Sequence, residues 1–180
     1  MTERSSPGGT AAPSAKLAGW LERMKATLHV RLGDEADLPD GLVVSSSKAE
    51  WLEPDVTGNP SRIGVLLDIP ARGMEFYLQE IPAHGSSDLQ RHVHESIHFV
   101  REGGGYSEIG PARVEWEAGD FVYTPPSVWH RHYNTGDSVV RMLLIENSPL
   151  LESLGLNRRE SAGLMTYAEM TAQGEADSAS

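Results

Sequence analysis

The sequence predicts an all-β domain, a single sandwich or closed barrel of short strands, with a short helix in front of it. Three observations predict it. From about residue 60, short apolar runs recur at 63–69, 74–81, 97–100, 114–116, 121–124 and 139–145, separated by Gly, Pro and Asp. Upstream, Leu17, Trp20, Leu21, Met24 and Leu28 fall at helical spacing. No internal repeat is visible in the 180 residues, which is the length of one domain with extensions rather than of two fused barrels.

In chain order, residues 1–14 (MTERSSPGGTAAPS) are small, polar and rich in Pro and Gly, and read as a disordered tail. Residues 15–58 form an N-terminal helix and extension. Ser14 is placed to cap a helix over 15–30, and Gly33 lies just past its end. The helix is expected to pack on the domain or on a second subunit. Residues 59–150 hold the barrel. Phe76 and Leu78 share a face of one strand, and Gly103-Gly104-Gly105 reads as a hairpin turn. Residues 151–180 form a partly disordered C-terminal extension. Leu150 to Leu156 suits a helical turn, and the small, acidic stretch 168–180 is expected to fray.

The balance of 15 basic against 26 acidic residues gives a net charge of −11. Such a chain repels phosphate backbones and anionic membrane surfaces, so neither nucleic acid nor membrane is an expected partner. No apolar run approaches a membrane span of about 20 residues, and the first residues lack the apolar stretch of a secretory signal. A cytoplasmic protein is expected. With no cysteine, a metal site must be built from His, Asp, Glu or Gln. Three tempting patterns carry nothing. Ser45-Ser46-Ser47-Lys48 lacks the partner motifs of the Ser-x-x-Lys hydrolases. No helix start follows the triple glycine, and Asn59-Pro60-Ser61 has proline in the forbidden middle position of a glycosylation site.

Five of the seven histidines fall in two windows, Gln90-Arg91-His92-Val93-His94-Glu95-Ser96-Ile97-His98 and Trp129-His130-Arg131-His132-Tyr133-Asn134. On extended backbone His92, His94 and His98 share a face, as do His130 and His132. Two such sets on neighbouring strands can converge on one ion through neutral imidazoles. The competing reading is a solvated strand face or hydrogen-bonded core histidines. By the same parity Arg91, Arg131 and Glu95 point away from the imidazole face, the arginines towards solvent. Trp129, Tyr123, Phe76 and Phe99 are expected in the core or lining a pocket.

The windows resemble the two motifs of the cupin superfamily. Gly119, Pro125, His130 and Asn134 match the second, with Ser127 where the family often has Gly. The first window followed by Phe99-Val100-Arg101-Glu102-Gly103 is similar to the first motif. The resemblance is strong over 85–134 and weak over 60–150. It implies a double-stranded β-helix, jelly-roll-like barrel. Cupins usually hold a metal with two His and a Glu from the first motif and one His from the second. Two registers are open here. Counting back from Gly103 puts Gln90 and His92 at the two His positions and Ser96 at the Glu. Counting from His92 and His94 puts His98 at the Glu and gives a four-histidine site of His92, His94, His98 and His130. Both registers lack the Glu, and an all-imidazole site leaves its ion the full divalent charge, which suits an anionic, bidentate hydroxy-carboxylate.

Gentisate-type ring-cleaving dioxygenases also replace the Glu and bind Fe(II) through His alone. The segment 129–134 and the surroundings of Phe99 look like theirs, whereas Gln90 and the single barrel depart from them. The resemblance therefore implies a divalent metal, Fe(II) first and Mn, Ni or Zn as alternatives, and a dioxygenase acting on a small aromatic or hydroxy acid. A non-redox isomerase or lyase, and a non-catalytic barrel binding a small ligand, are the alternatives. His132, two positions after His130, is the catalytic candidate, as general base or substrate hydrogen-bond donor, or else it orients a ligand. A homodimer is expected, with the helix at 15–30 and the strands at 60–80 as interface candidates.

Overall fold

A computed structural model describes residues 14–28 and 37–178. The chain divides into two compact units, residues 1–38 and 39–180. In the first, helix α1 (Ala15–Thr27) starts as expected: the Ser14 hydroxyl accepts the Leu17 N–H at 3.2 Å. It ends before residue 30, and its Leu17, Trp20 and Leu28 are exposed. The tail 1–13, His29 and Gly33 lie outside the described residues.

The second unit is a two-sheet β-structure. Its elements are β1 (Glu50–Leu52), α2 (Pro54–Thr57), β2 (Arg62–Val65), β3 (Glu75–Ile81), β4 (Gln90–His92), β5 (Ser96–Glu102), β6 (Gly104–Ile109), β7 (Ala112–Glu117), β8 (Phe121–Thr124), β9 (His130–Asn134), β10 (Val140–Glu146), α3 (Ser148–Ser153), β11 (Arg159–Ser161) and α4 (Tyr167–Ser178). One sheet runs β1-β2-β3-β10-β5-β8 and the other β11-β4-β9-β6-β7, with every pairing antiparallel. The expected all-β barrel is the observed fold.

Strand β10 organises the first sheet because it pairs β3 along one side and β5 along the other. Its alternation puts Val140, Met142, Leu144 and Glu146 inside. The first three join Ile81, Val100, Trp116 and Val122 in an apolar core. The other end of the interior is polar: His92, His94, His98, His130 and His132 are all at most 2% exposed. Burying that many imidazoles forgoes apolar area and demands partners for their nitrogens, so this end of the barrel is built for something other than stability.

Several expectations change. The run 63–69 is strand only to Val65, because Asp68, Pro70 and Gly73 break it and Leu67 turns out to solvent. Of the triple glycine only Gly103 makes the turn, with φ of 86°. Gly104 and Gly105 already belong to β6, and Gly105 allows close approach to β9, since a Cβ there would lie 1.9 Å from the Tyr133 carbonyl oxygen. The stretch 168–180, expected to fray, is helical to Ser178, and Leu150 to Leu156 begins with α3. The sheets also recruit β1 and β11 from outside 59–150. As a result β2 and β3, the proposed interface strands, lie inside the first sheet, and its edges are β1 and β8.

Candidate metal centre and adjoining cavities

The site forms where β4, the bend after it, β5 and β9 meet the end of β10. Strand β4 carries Gln90 and His92, with Gln90 opposite His130 on β9. The chain then bends, so His94 is not on the strand that carries His92, and Ser96 opens β5 directly opposite Glu146. Gln90 and His92 thus share β4, and Ser96 begins the next strand. The second motif closes against it. Ser127 adopts φ of 62°, which explains the frequent Gly there, and its N–H bonds the His92 carbonyl at 2.7 Å. The Asn134 side-chain amide bonds the carbonyls of Ile81, Pro82 and Ser138 and accepts from Gly136, so its role is to staple the turn.

Hydrogen bonds determine which imidazole nitrogens are free. His92 Nδ1 faces the His94 carbonyl at 2.8 Å and His130 Nδ1 faces the Val128 carbonyl at 2.9 Å. A carbonyl only accepts, so both Nδ1 atoms carry the proton and both Nε2 atoms present a lone pair. His94 Nδ1 sits 3.2 Å from Asn157 Oδ1, which leaves its Nε2 in the same condition. That Nε2 lies 3.0 Å from Glu146 Oε2, yet it lacks the alignment of a hydrogen bond. A buried imidazole nitrogen 3.0 Å from a buried carboxylate calls for positive charge at this point, a proton on the ring or a metal ion. Two donors in cis positions about 2.1 Å from one ion are themselves about 3 Å apart, so this spacing fits a shared metal.

His92, His94 and Glu146 bring one donor atom each within 4.8 Å of the others. The rings of His92 and His94 stack at 3.7 Å, and His130 meets His92 edge-on at 4.7 Å. His130 Nε2 is buried with no hydrogen-bond partner among the described residues. His98 and His132 form a separate pair, 4.3 Å between ring centroids. Ser96 Oγ lies 3.4 Å from Glu146 Oε1, to which only the hydroxyl can donate, so it accepts from His98 Nε2 at 3.1 Å. Ser107 Oγ accepts the Trp116 indole N–H at 2.8 Å and donates to His132 Nδ1 at 2.7 Å, leaving an N–H at His132 Nε2.

The structure therefore brings His92, His94 and His130 together and sets His98 beside His132 instead. Sequence reasoning missed Glu146. The available signal was its parity, an acidic residue continuing the inward face of Val140, Met142 and Leu144. A carboxylate that the all-imidazole expectation did not include thus lies beside His92 and His94.

Electrostatics agree with neutral imidazoles. Burial, then the neighbouring imidazoles, pushes His92 and His130 down to about 3; burial and His92 take His132 to about 4, and His98 is also held well below the usual range. Burial pushes the Glu146 carboxyl up, but His94, Arg159 and His92 outweigh it and hold it below the usual value. Glu95 is exposed and takes the Tyr123 hydroxyl at 2.7 Å, so it turns away from the site. Tyr123 is itself exposed, and Trp129 packs under the Arg91 guanidinium at 4.8 Å, so neither lines an apolar pocket. Arg91 pairs with Glu160 at the surface. Arg131 is not in solvent: residues 163–166 cover the outer face of β9, and its guanidinium bonds Ser86 Oγ and the carbonyls of Ser87, Leu164 and Met165.

Residues 77–146, which span every strand carrying the site, match the cupin domain family. The 5-aminosalicylate 1,2-dioxygenase of Comamonas sp. is 29% identical over 76 residues, 42% of this chain and 20% of that protein. Gentisate 1,2 dioxygenase 1 of Aquipseudomonas alcaligenes is 42% identical over 48 residues, 26% of this chain and 14% of that protein. The matched segment thus spans a fifth or less of these curated relatives. A cupin-2 domain from Rhodospirillum rubrum superposes with a TM-score of 0.53 at 20% identity, over 79% of this chain and 88% of that one.

Proposed function

We propose, from the premise that this barrel is a cupin domain resembling those of ring-cleaving dioxygenases, that the chain is a metal-dependent dioxygenase of a small aromatic or hydroxy acid. The observation that carries the reading is the buried trio His92, His94 and Glu146, with one donor atom of each within 4.8 Å of the others, and the buried, unpartnered His130 Nε2 on the ring that meets His92 edge-on. The two dioxygenase relatives support the reaction class. His92, His94, His130 and Glu146 would hold Fe(II), which when bound supplies a Lewis-acid and redox centre for an anionic substrate and dioxygen. The chain's other residues position and protect. Asn157, Val128 and the His94 carbonyl hold the ring orientations of the three ligands. His132 offers an N–H into the interior, so it donates to a substrate oxygen rather than acting as a base at Nε2. The apolar core below excludes water from that face.

The test is oxygen consumption by the Fe(II)-loaded chain, prepared anaerobically, with gentisate, 5-aminosalicylate and other hydroxybenzoates. Uptake matching substrate loss is expected. Stoichiometric iron without uptake across the panel overturns the reading. One observation favours a second reading: three imidazoles and a carboxylate match the usual cupin set rather than the all-imidazole one, which suits non-redox isomerase or lyase chemistry with Mn, Ni or Zn. Turnover of a hydroxy acid in the absence of oxygen would establish it.

A further inference from the structure

Three of the four candidate ligands are fixed by strands: His92 ends β4, His130 opens β9 and Glu146 closes β10. His94 is not. It lies in the bend 93–95, off the ladders, so its place depends on what bonds that bend. The segment that carries β11 supplies two of those bonds. The Val93 N–H donates to the Arg158 carbonyl at 3.1 Å, and His94 Nδ1 meets Asn157 Oδ1 at 3.2 Å. On the other side of the bend, the Glu95 N–H donates to the Asn147 side chain.

Residues 157–166 form a strap along the edge of β4 away from β9. Its ladder runs from Arg159, opposite His92, to Ser161, opposite Gln90. Beyond the ladder the Ala162 N–H donates to the Leu89 carbonyl and the Leu89 N–H to the Gly163 carbonyl, both at 2.8 Å. The Ser161 hydroxyl donates to Asp88 at 2.7 Å, and the Arg131 guanidinium holds the carbonyls of Leu164 and Met165. All of these attachments are polar. None of residues 157–166 is buried, and β11 is exposed throughout. A segment held by hydrogen bonds at a sheet edge, with no side chain sunk in the core, opens more readily than the barrel beneath it. The strap also lies outside 77–146, the part of the chain that matches the cupin family.

We propose that docking of this strap and metal binding are one coupled equilibrium: the docked strap holds His94 in its ligating position, and a bound metal, by fixing His94, holds the strap down. The coupling rests on the metal centre described above and not on the reaction assigned to it. Its sign follows from Asn157. Oδ1 only accepts, so the bond keeps a proton on His94 Nδ1 and leaves Nε2 on the side of Glu146, 3.0 Å away. Arg159 works against it, with its guanidinium 3.8 Å from Glu146, but that side chain is 54% exposed and water screens the repulsion. Linkage makes the effect reciprocal: a lesion that undocks the strap weakens metal binding, and metal binding protects the strap.

The test is hydrogen exchange of the chelated full chain with and without Co(II), read by mass spectrometry, beside Co(II) titrations followed by visible absorption. Exchange in residues 157–166 is expected to slow about 5- to 100-fold on loading. Helix α2, which has no buried residue either, should exchange as before. Asn157→Ala should weaken Co(II) about 10-fold or more and shift its absorption band. Asn157→Asp, which keeps the acceptor, should restore both. Ala162→Pro removes the N–H bonded to Leu89 without touching a ligand, and should also weaken Co(II), by about 5-fold or more. Should that variant not fold, the exchange measurement on the parent decides. Co(II) that binds but leaves 157–166 exchanging as before, or slows α2 equally, overturns the coupling and keeps the metal centre. A chain that takes up no Co(II) overturns both.

Discussion

The metal-free protein is expected to unfold in mild acid, between about pH 6.5 and 5, and the imidazole cluster supplies the magnitude. His92 and His130 titrate at about 3, His132 at about 4, and His98 also far down, whereas an unfolded histidine titrates near 6.5. Below pH 6.5 the unfolded chain binds protons that the folded chain refuses, so stability is complete above that pH and falls as pH drops towards the folded values. At pH 5.5 the loss is roughly 1 kcal/mol or slightly more per imidazole, on the order of 5 kcal/mol for the four. That rivals the whole stability of a domain, about 5–15 kcal/mol. Glu146 adds little in this window, because its lowered carboxyl loses its contribution only further down. Urea unfolding of the chelated protein at half-unit steps from pH 8 to 5 reads the effect directly. A midpoint that stays flat from pH 7.5 to 5.5 would refute the burial argument for the cluster.

Glu146→Gln keeps the side chain's size and removes its charge; Co(II) affinity, followed by its visible absorption, should fall by at least about 100-fold. The metal-free variant should melt somewhat lower than the parent at neutral pH, because a carboxyl held below its usual value is one whose charge the fold favours. Arg131→Leu leaves Ser86 and the carbonyls of Ser87, Leu164 and Met165 without their donor, and should cost about 3 kcal/mol, with hydrogen exchange rising first in residues 162–166. Ser127→Gly relieves a left-handed residue and should raise the melting temperature, by about 1 kcal/mol of stability, without moving His92.

The barrel was legible where strands carry their own apolar alternation. The runs at 74–81, 97–100, 114–116, 121–124 and 139–145 all fall on strands. What escaped has no such signature. Arg159-Glu160-Ser161 contains no apolar residue, and it is a strand only because β4 offers an unpaired edge. Arg131 was sent to solvent by correct parity on β9, but parity does not reveal that residues 163–166 lie over that face. Within the first window, parity treated 92–98 as one strand. The bend at 93–95 removes His94 from that strand and still returns it to His92 by stacking.

Glu146 explains why motif spacing alone misjudged the site's charge. A metal sees donor atoms and not chain positions, so a ligand can move to any inward-facing residue within reach. Counted back from Gly103, Ser96 takes the first-motif Glu position, and the residue directly across the ladder from it is Glu146. Opposed residues in an antiparallel pair have Cβ atoms about 5 Å apart, so a carboxylate one strand over reaches the same point. His94 arrives by another route: it sits in the bend two residues past His92 and returns by stacking on that ring, while Gln90 stands opposite His130. The carboxylate beside His92 and His94 thus comes from across the ladder, which spacing within a motif cannot register and cross-strand register can.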